Sequence, residues 1–163
     1  MKKRVSLIAI AALLLVMATT LAGCSFGAPR ISLTFVPQCA KLRVGQSMQV
    51  DVTIRLDGFG FFTVKRLSLK YLTATGDELQ NAETYGLPTG GDLGKEIPLV
   101  GTMGFASIRK SLTELNNDEP VTPTAEWWLI QPRPMKIVFT FFDESGKAVG
   151  SGELGLEWDN VVG

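Results

Sequence analysis

The chain has 163 residues, with 16 basic and 16 acidic side chains, two cysteines and no histidine. The missing imidazole excludes Ser-His-Asp and Cys-His catalysis and imidazole metal sites. The balanced charge gives no support to a basic nucleic-acid surface, and the length fits one ordinary domain with a core of its own.

The start of the chain is organised as an export signal. Lys2, Lys3 and Arg4 form a positive segment, and Val5 to Ala18 is an almost unbroken apolar run containing Leu7, Ile8, Ile10, Leu13, Leu14, Leu15, Val16 and Met17. This is the layout of a secretory leader. Small residues then lead to a single cysteine in Leu21-Ala22-Gly23-Cys24. These four positions resemble the lipobox of bacterial lipoproteins, which reads as a branched apolar residue, two small residues and a cysteine. The resemblance covers the leader and lipobox alone. It implies that the Cys24 thiol receives a diacylglyceryl group through a thioether, that signal peptidase II cuts between Gly23 and Cys24, and that the new amine is acylated. Two or three acyl chains hold firmly, since each buried methylene contributes about 0.8 kcal/mol. The expected location is the outside of the cell membrane, or the outer membrane where there are two, because Ser25 stands where an Asp would resemble an inner-membrane retention signal. An uncut membrane helix over Val5 to Ala22 and an ordinary leader with a chance cysteine are the rival readings.

Cleavage takes three of the 16 basic residues, leaving 13 against 16 acidic ones, a formal charge of −3. Cys39 is then the one unmodified thiol, so no internal disulfide is expected, and a free cysteine most often sits buried as a small hydrophobe. Residues 1–23 are read as the signal peptide, 24–30 as a lipidated tether and 31–163 as the folded domain.

From Ile31 the pattern alternates. Ile31, Leu33 and Phe35 share one parity, Pro37 interrupts, and Leu42 and Val44 resume it; a proline cannot donate to a ladder, so this strand lies at an edge or changes partner. Met48, Val50, Val52, Ile54 and Leu56 alternate with polar residues over the next strand. A turn with three aromatics, Phe59, Phe61 and Phe62, leads to a strand over Val64 to Thr73. Residues 74–95 read as a long connection with one helical turn near Asp77 to Ala82, the kind of loop that binds something or is mobile. Ile97 to Ile108 reads as a strand, and Arg109 to Leu115 as a strand or short helix. After the turn at Asn116 to Pro120, Ala125 to Ile130 reads as a strand through Trp127 and Trp128, whose adjacent side chains would face opposite sides. Met135 to Phe142 and Ala148 to Trp158 read as a terminal hairpin.

Seven to eight strands and no long helix after the leader predict an all-β domain, an antiparallel β-sandwich. The split first strand, the long alternating second strand and the terminal hairpin resemble immunoglobulin-like or fibronectin type III-like bacterial surface domains. The Cys-Trp-Cys core of true immunoglobulin domains is missing, and a lipocalin-type barrel is the alternative.

The Gly-rich pieces, Gly90 to Lys95 and Gly101 to Gly104, fit neither the phosphate loop nor the dinucleotide fingerprint and read as turns. The acidic pairs Asp118-Glu119 and Asp143-Glu144 sit in turns rather than across a cleft. No catalytic residue, metal ligand or cofactor is expected, and the chain is expected not to be an enzyme. The candidate interaction residues are Phe59, Phe61, Phe62, Trp127 and Trp128. The expected role is a lipid-anchored interaction or structural module of the cell envelope, held to the membrane through Cys24 and touching an envelope protein or surface polymer, without nucleic acid. A small-ligand binder using the 74–95 loop with an exposed Trp, and a carboxylate-dependent hydrolase, are the alternatives.

Overall fold

The structure, a computed structural model, describes residues 30–101 and 105–159. The leader, the lipobox with Gly23 and Cys24, and the tether up to residue 29 lie outside the described residues. Among those described there are eight strands: β1 Arg30–Val36, β2 Cys39–Leu42, β3 Asp51–Asp57, β4 Gly60–Thr73, β5 Gly90–Gly101, β6 Phe105–Ser111, β7 Pro134–Phe142 and β8 Ala148–Trp158. Two 3₁₀ turns, Ala82–Tyr85 and Ala125–Leu129, and one short helix, α1 Leu112–Leu115, complete the chain. The domain is all-β, as the alternation predicts.

The strands lie on one hydrogen-bonded path, β5-β4-β7-β8-β1-β3-β6, with β2 added on β8. This corrects the expectation of purely antiparallel pairing. β1 runs antiparallel to β3 from Arg30↔Asp57 to Val36↔Asp51, but it meets β8 in parallel at Ile31↔Gly150, and β2 continues along β8 in parallel from Cys39↔Gly155 to Leu42↔Trp158. At Pro37, which has no N–H to give a ladder, the chain leaves β3 and continues in parallel along β8. The result is a mixed sheet that curls on itself around its apolar side.

Alternation builds that side. Val52, Ile54 and Leu56 of β3 face Leu67, Leu69 and Tyr71 of β4, Ile137, Phe139 and Phe141 of β7, and Leu154 and Leu156 of β8, all buried. The rings of Phe35 and Phe139 meet with centroids 4.8 Å apart, joining β1 to β7 over β8, which lies between them in the sheet. Two glycines make room for this contact. A Cβ at Gly150 would fall 2.5 Å from the Ile31 Cβ, and one at Gly152 would fall 2.5 Å from the Leu33 Cβ and 3.2 Å from the Phe35 ring.

Four local expectations change. Met48 and Val50 keep the inward parity, but the regular ladder begins at Asp51; the segment before it bonds irregularly, with the Met48 N–H donating to the Val121 carbonyl at 2.9 Å. Cys39 is exposed rather than buried, because Ala40 and Leu42 take the inward parity of β2. Gly90 and Gly91 lie in β5, not in a turn: Gly90 has φ 90°, and any Cβ there would sit 2.3 Å from the Leu67 carbonyl oxygen. Ala125–Leu129 is a 3₁₀ turn rather than a strand, with Trp127 N–H bonded to the Thr124 carbonyl at 3.2 Å. β-propensity yields there to burial, since the turn drives Trp127 into the core, where it is 2% exposed.

Gly152→Ala should therefore lower unfolding free energy by about 1–3 kcal/mol, the usual effect of overpacking. Chemical denaturation checks it; an unchanged midpoint would show that β1 is not seated against β8 as described.

Candidate functional site

The predicted site residues separate into two places. Phe59, Phe61 and Phe62 stand at the start of β4, where the turn from β3 ends; Trp127 and Trp128 stand near the opposite end, beside the start of β7 and the end of β8. No single cleft unites them.

At the aromatic end, strand parity divides the three phenylalanines. Phe59 and Phe61 are 68% and 66% exposed, whereas Phe62 is half-buried and packs against the core. Phe61 lies opposite Val100 of β5, itself 53% exposed, so the outer face of this ribbon presents a small apolar patch. Gly60 sits at φ 154° with the Phe62 ring 3.1 Å from where its Cβ would be.

At the other end Trp127 is core. Trp128 is half-buried and stands edge-on to Trp158, with centroids 5.1 Å apart at 80°, and the Arg133 guanidinium lies 5.6 Å from the centre of the Trp158 ring. The Trp158 indole N–H donates to the Pro134 carbonyl at 2.8 Å. The indole nitrogens of Trp127 and Trp128 and Arg133 Nε are buried without an acceptor among the described residues. Trp158, the centre of this stack, was legible only as one inward residue of an alternating strand.

The long connection ends at Thr89, because Gly90 already pairs with Ser68. It is pinned to β4 rather than hanging free. The Leu79 N–H donates to the Tyr71 carbonyl at 2.7 Å, and the Leu69 N–H donates to the Thr89 carbonyl at 2.9 Å. The buried Tyr71 hydroxyl donates to the Pro88 carbonyl at 2.8 Å, and burial pushes its pKa well above the usual phenol value. Of the acidic pairs, Asp143 is spent on its own hairpin, accepting from the Ser145 hydroxyl at 2.6 Å, the Ser145 N–H at 2.9 Å and the Lys147 N–H at 3.0 Å. Those bonds, the Ser145 hydroxyl first, hold its pKa below the ordinary carboxylate range.

β5 and β6 are the two terminal strands of the sheet path, and the curl brings their unpaired edges to the same side of the domain. Between them opens a cleft of about 490 Å³ with Leu93, Ile97, Pro98 and Ile108 along its apolar parts and Lys95 and Asp118 among its charged lining. A bulge widens it: Val64 pairs with Ile97 and Arg66 with Asp92, so residues 93–96 of β5 stand opposite Lys65 alone. The glycines around 90–94 were its only sequence signal, since glycine inside a strand often marks a bulge. The rim continues into α1. Ser111 caps that helix, its hydroxyl accepting from the Glu114 N–H at 3.1 Å while the Glu114 carboxylate accepts from the Ser111 N–H at 2.7 Å. Leu112 and Leu115 are thereby turned inward.

No family model and no curated protein matches the chain. Among solved structures it is similar to the Pseudomonas fluorescens alkylpurine DNA glycosylase AlkC bound to DNA containing an abasic site analog. That match has 17% identity and a TM-score of 0.44, over 79% of this chain and 30% of that one. It is also similar to a structural-genomics target, SoR45, at 8% identity and TM-score 0.38, over 80% of this chain and 88% of that one. The chain thus spans less than a third of the glycosylase's length.

The first likeness corrects two expectations. An enzyme bound to DNA stands among the similar structures, so neither the exclusion of enzymatic activity nor the list of partners that left out nucleic acid is kept. At that TM-score the likeness gives this chain no activity and no DNA contact of its own.

Two measurements follow from the site. Phe62→Ser should lower the thermal midpoint by several degrees, while Phe59→Ser and Phe61→Ser leave it within about a degree, since exposed substitutions usually change stability little. Equal losses for all three would put Phe59 and Phe61 in the core. The Glu114 pKa is held down first by the Ser111 N–H and next by Lys110. A depressed pKa contributes stability above the unfolded value and loses it as pH falls through the folded one. The protection factor of the Asn116 amide, bonded to the Leu112 carbonyl at 2.9 Å, should therefore fall, relative to its intrinsic exchange rate, only as pH drops below the ordinary carboxylate range. Glu114→Gln should remove that pH dependence.

Proposed function

We propose that this chain is an exported lipoprotein whose domain serves as an interaction or structural module of the cell envelope. The observation that carries the reading is Leu21-Ala22-Gly23-Cys24 placed directly after a basic and then apolar leader. With the leader removed and Cys24 acylated, Arg30 begins the first strand only six residues after the lipid. A short tether of this kind holds the domain beside the membrane.

The finer architecture we propose is immunoglobulin-like. What supports it is a first strand that pairs antiparallel with β3 and then, past Pro37, hands the chain to β2 in parallel on β8, as a split edge strand would in joining two layers. The surface on offer for interaction is the cleft between β5 and β6. Unpaired strand edges carry a row of free N–H and C=O groups, and main-chain pairing with an added extended segment is the chemistry such a cleft suits.

Mass spectrometry of the natural product tests the reading. The expected first residue is Cys24 carrying a diacylglyceryl thioether and an acylated amine, with the protein entering the detergent phase on Triton partitioning; Cys24→Ala should leave it unlipidated and uncut. A natural product that retains Met1, or begins at any residue other than an acylated Cys24, would sink the proposal.

A further inference from the structure

The direction of β1 adds a constraint that the anchor alone does not supply. β1 begins at Arg30 opposite Asp57, the last residue of β3, so the first described residue stands beside the Gly58-Phe59 turn. Arg30 is therefore at the same end that carries Phe59, Phe61 and Val100. Five residues, six chain steps, separate Cys24 from Arg30, and a fully extended chain spans about 3.3–3.6 Å per residue, so the backbone of Cys24 cannot be more than about 22 Å from this end. The opposite end, where β2 and β8 finish and where Val44 and Leu129 are exposed, is turned away from the attachment point.

The exposed ribbon fits what it must face. β4 and β5 run on past the end of β7, whose last pair with β4 is Arg66↔Phe142, and the ribbon that ends at Gly60↔Gly101 is followed at once by the β3–β6 pair Asp57↔Phe105, so the chain bends over the core at this end. The ribbon's inner face is filled by Phe62, Val64, Ile97 and Leu99. Its outer face shows Phe61 opposite Val100, with Phe59 at the tip. Exposed aromatics on a rigid ribbon tip are suited to the boundary between headgroups and acyl chains, and Arg30, also exposed, adds a cation where anionic headgroups lie.

We infer that Phe59, Phe61 and Val100 form a membrane-contacting tip that seats in the lipid headgroup and acyl boundary and fixes the orientation of the domain. This rests on the lipid-anchored reading above. It commits to a lipid surface as the occupant because the tether length leaves the tip within reach of the bilayer. The acyl chains then supply the attachment, and the tip decides which way the domain and its β5–β6 cleft face.

The test uses the full acylated chain in vesicles of phosphatidylethanolamine and phosphatidylglycerol whose acyl chains are brominated near the headgroup. Phe59→Trp places a reporter at the tip, and Gln46→Trp places one at the far end; each is read as the fluorescence gained over the wild type. The expected result is quenching at least about twofold stronger for Phe59→Trp than for Gln46→Trp, in line with burial of an apolar face some 5–10 Å into the boundary. Flotation of the vesicles is measured alongside. Protein that floats with equal quenching at both positions overturns the tip while leaving the anchor standing, and the patch would then be free for a protein partner. Wild-type protein that fails to float overturns the anchor and the tip together. A Phe59→Ser/Phe61→Ser variant that floats, keeps its thermal midpoint and shows stronger quenching at Gln46→Trp than the parent would be the signature of a domain that has lost its orientation.

Discussion

The fold depends on Phe35 being seated above a strand that carries no side chain beneath it. Gly150 and Gly152 occupy inward positions of β8, where the alternation would otherwise place two more hydrophobes, and Ile31, Leu33 and Phe35 fill the space instead. Phe35 then reaches Phe139 on β7 over Gly152 of β8, which pairs with Phe139, so β1 is bonded to β3 on one side and packed over β8 on the other. Every later arrangement follows from that seat. With β1 held between β3 and β8, the sheet closes along that line and opens along another.

The opening is the consequence that bears on function. A sheet of this length has two terminal strands, and here they are β5 and β6, brought to one side but left unpaired with each other among the described residues. The bulge at residues 93–96 lies on one side of the gap, and the capped helix α1 contributes Glu114 to its lining while Leu112 and Leu115 are buried in the core. Soluble domains usually guard free edges with charge. Lys95, Lys110 and Asp118 stand along this one.

The two ends of the domain also differ in kind. One is a pinned end, where the 74–89 connection is tied to β4 through Leu79, Thr89 and the Tyr71 hydroxyl, and where Trp158 gathers Trp128 and Arg133. The other is a bend where the β4–β5 ladder, ending at Gly60↔Gly101, meets the β3–β6 ladder at Asp57↔Phe105, with Phe59 and Phe61 exposed. β1 begins at the second, with Arg30 opposite Asp57, while the stack of tryptophans lies at the far one.

The residue pattern alone determined the all-β class, the inward faces of β3, β4, β7 and β8, the terminal hairpin and the break at Pro37, because strand parity and the missing proline N–H are local properties. It also carried the whole expectation for Cys24, which rests on a motif rather than on a fold. Tertiary structure decided the rest. Whether β1 pairs with β3, β8 or both depends on strands more than a hundred residues apart, and the role of Gly150 and Gly152 is visible only once Ile31 and Phe35 lie over them. Trp127 and Trp128 looked like a strand because their β-propensity is high; burying one indole in the core outweighed it and wound the segment into a 3₁₀ turn. The cleft between β5 and β6 had no local signal beyond glycines, since two edges become a site only when the curl of the sheet brings them together.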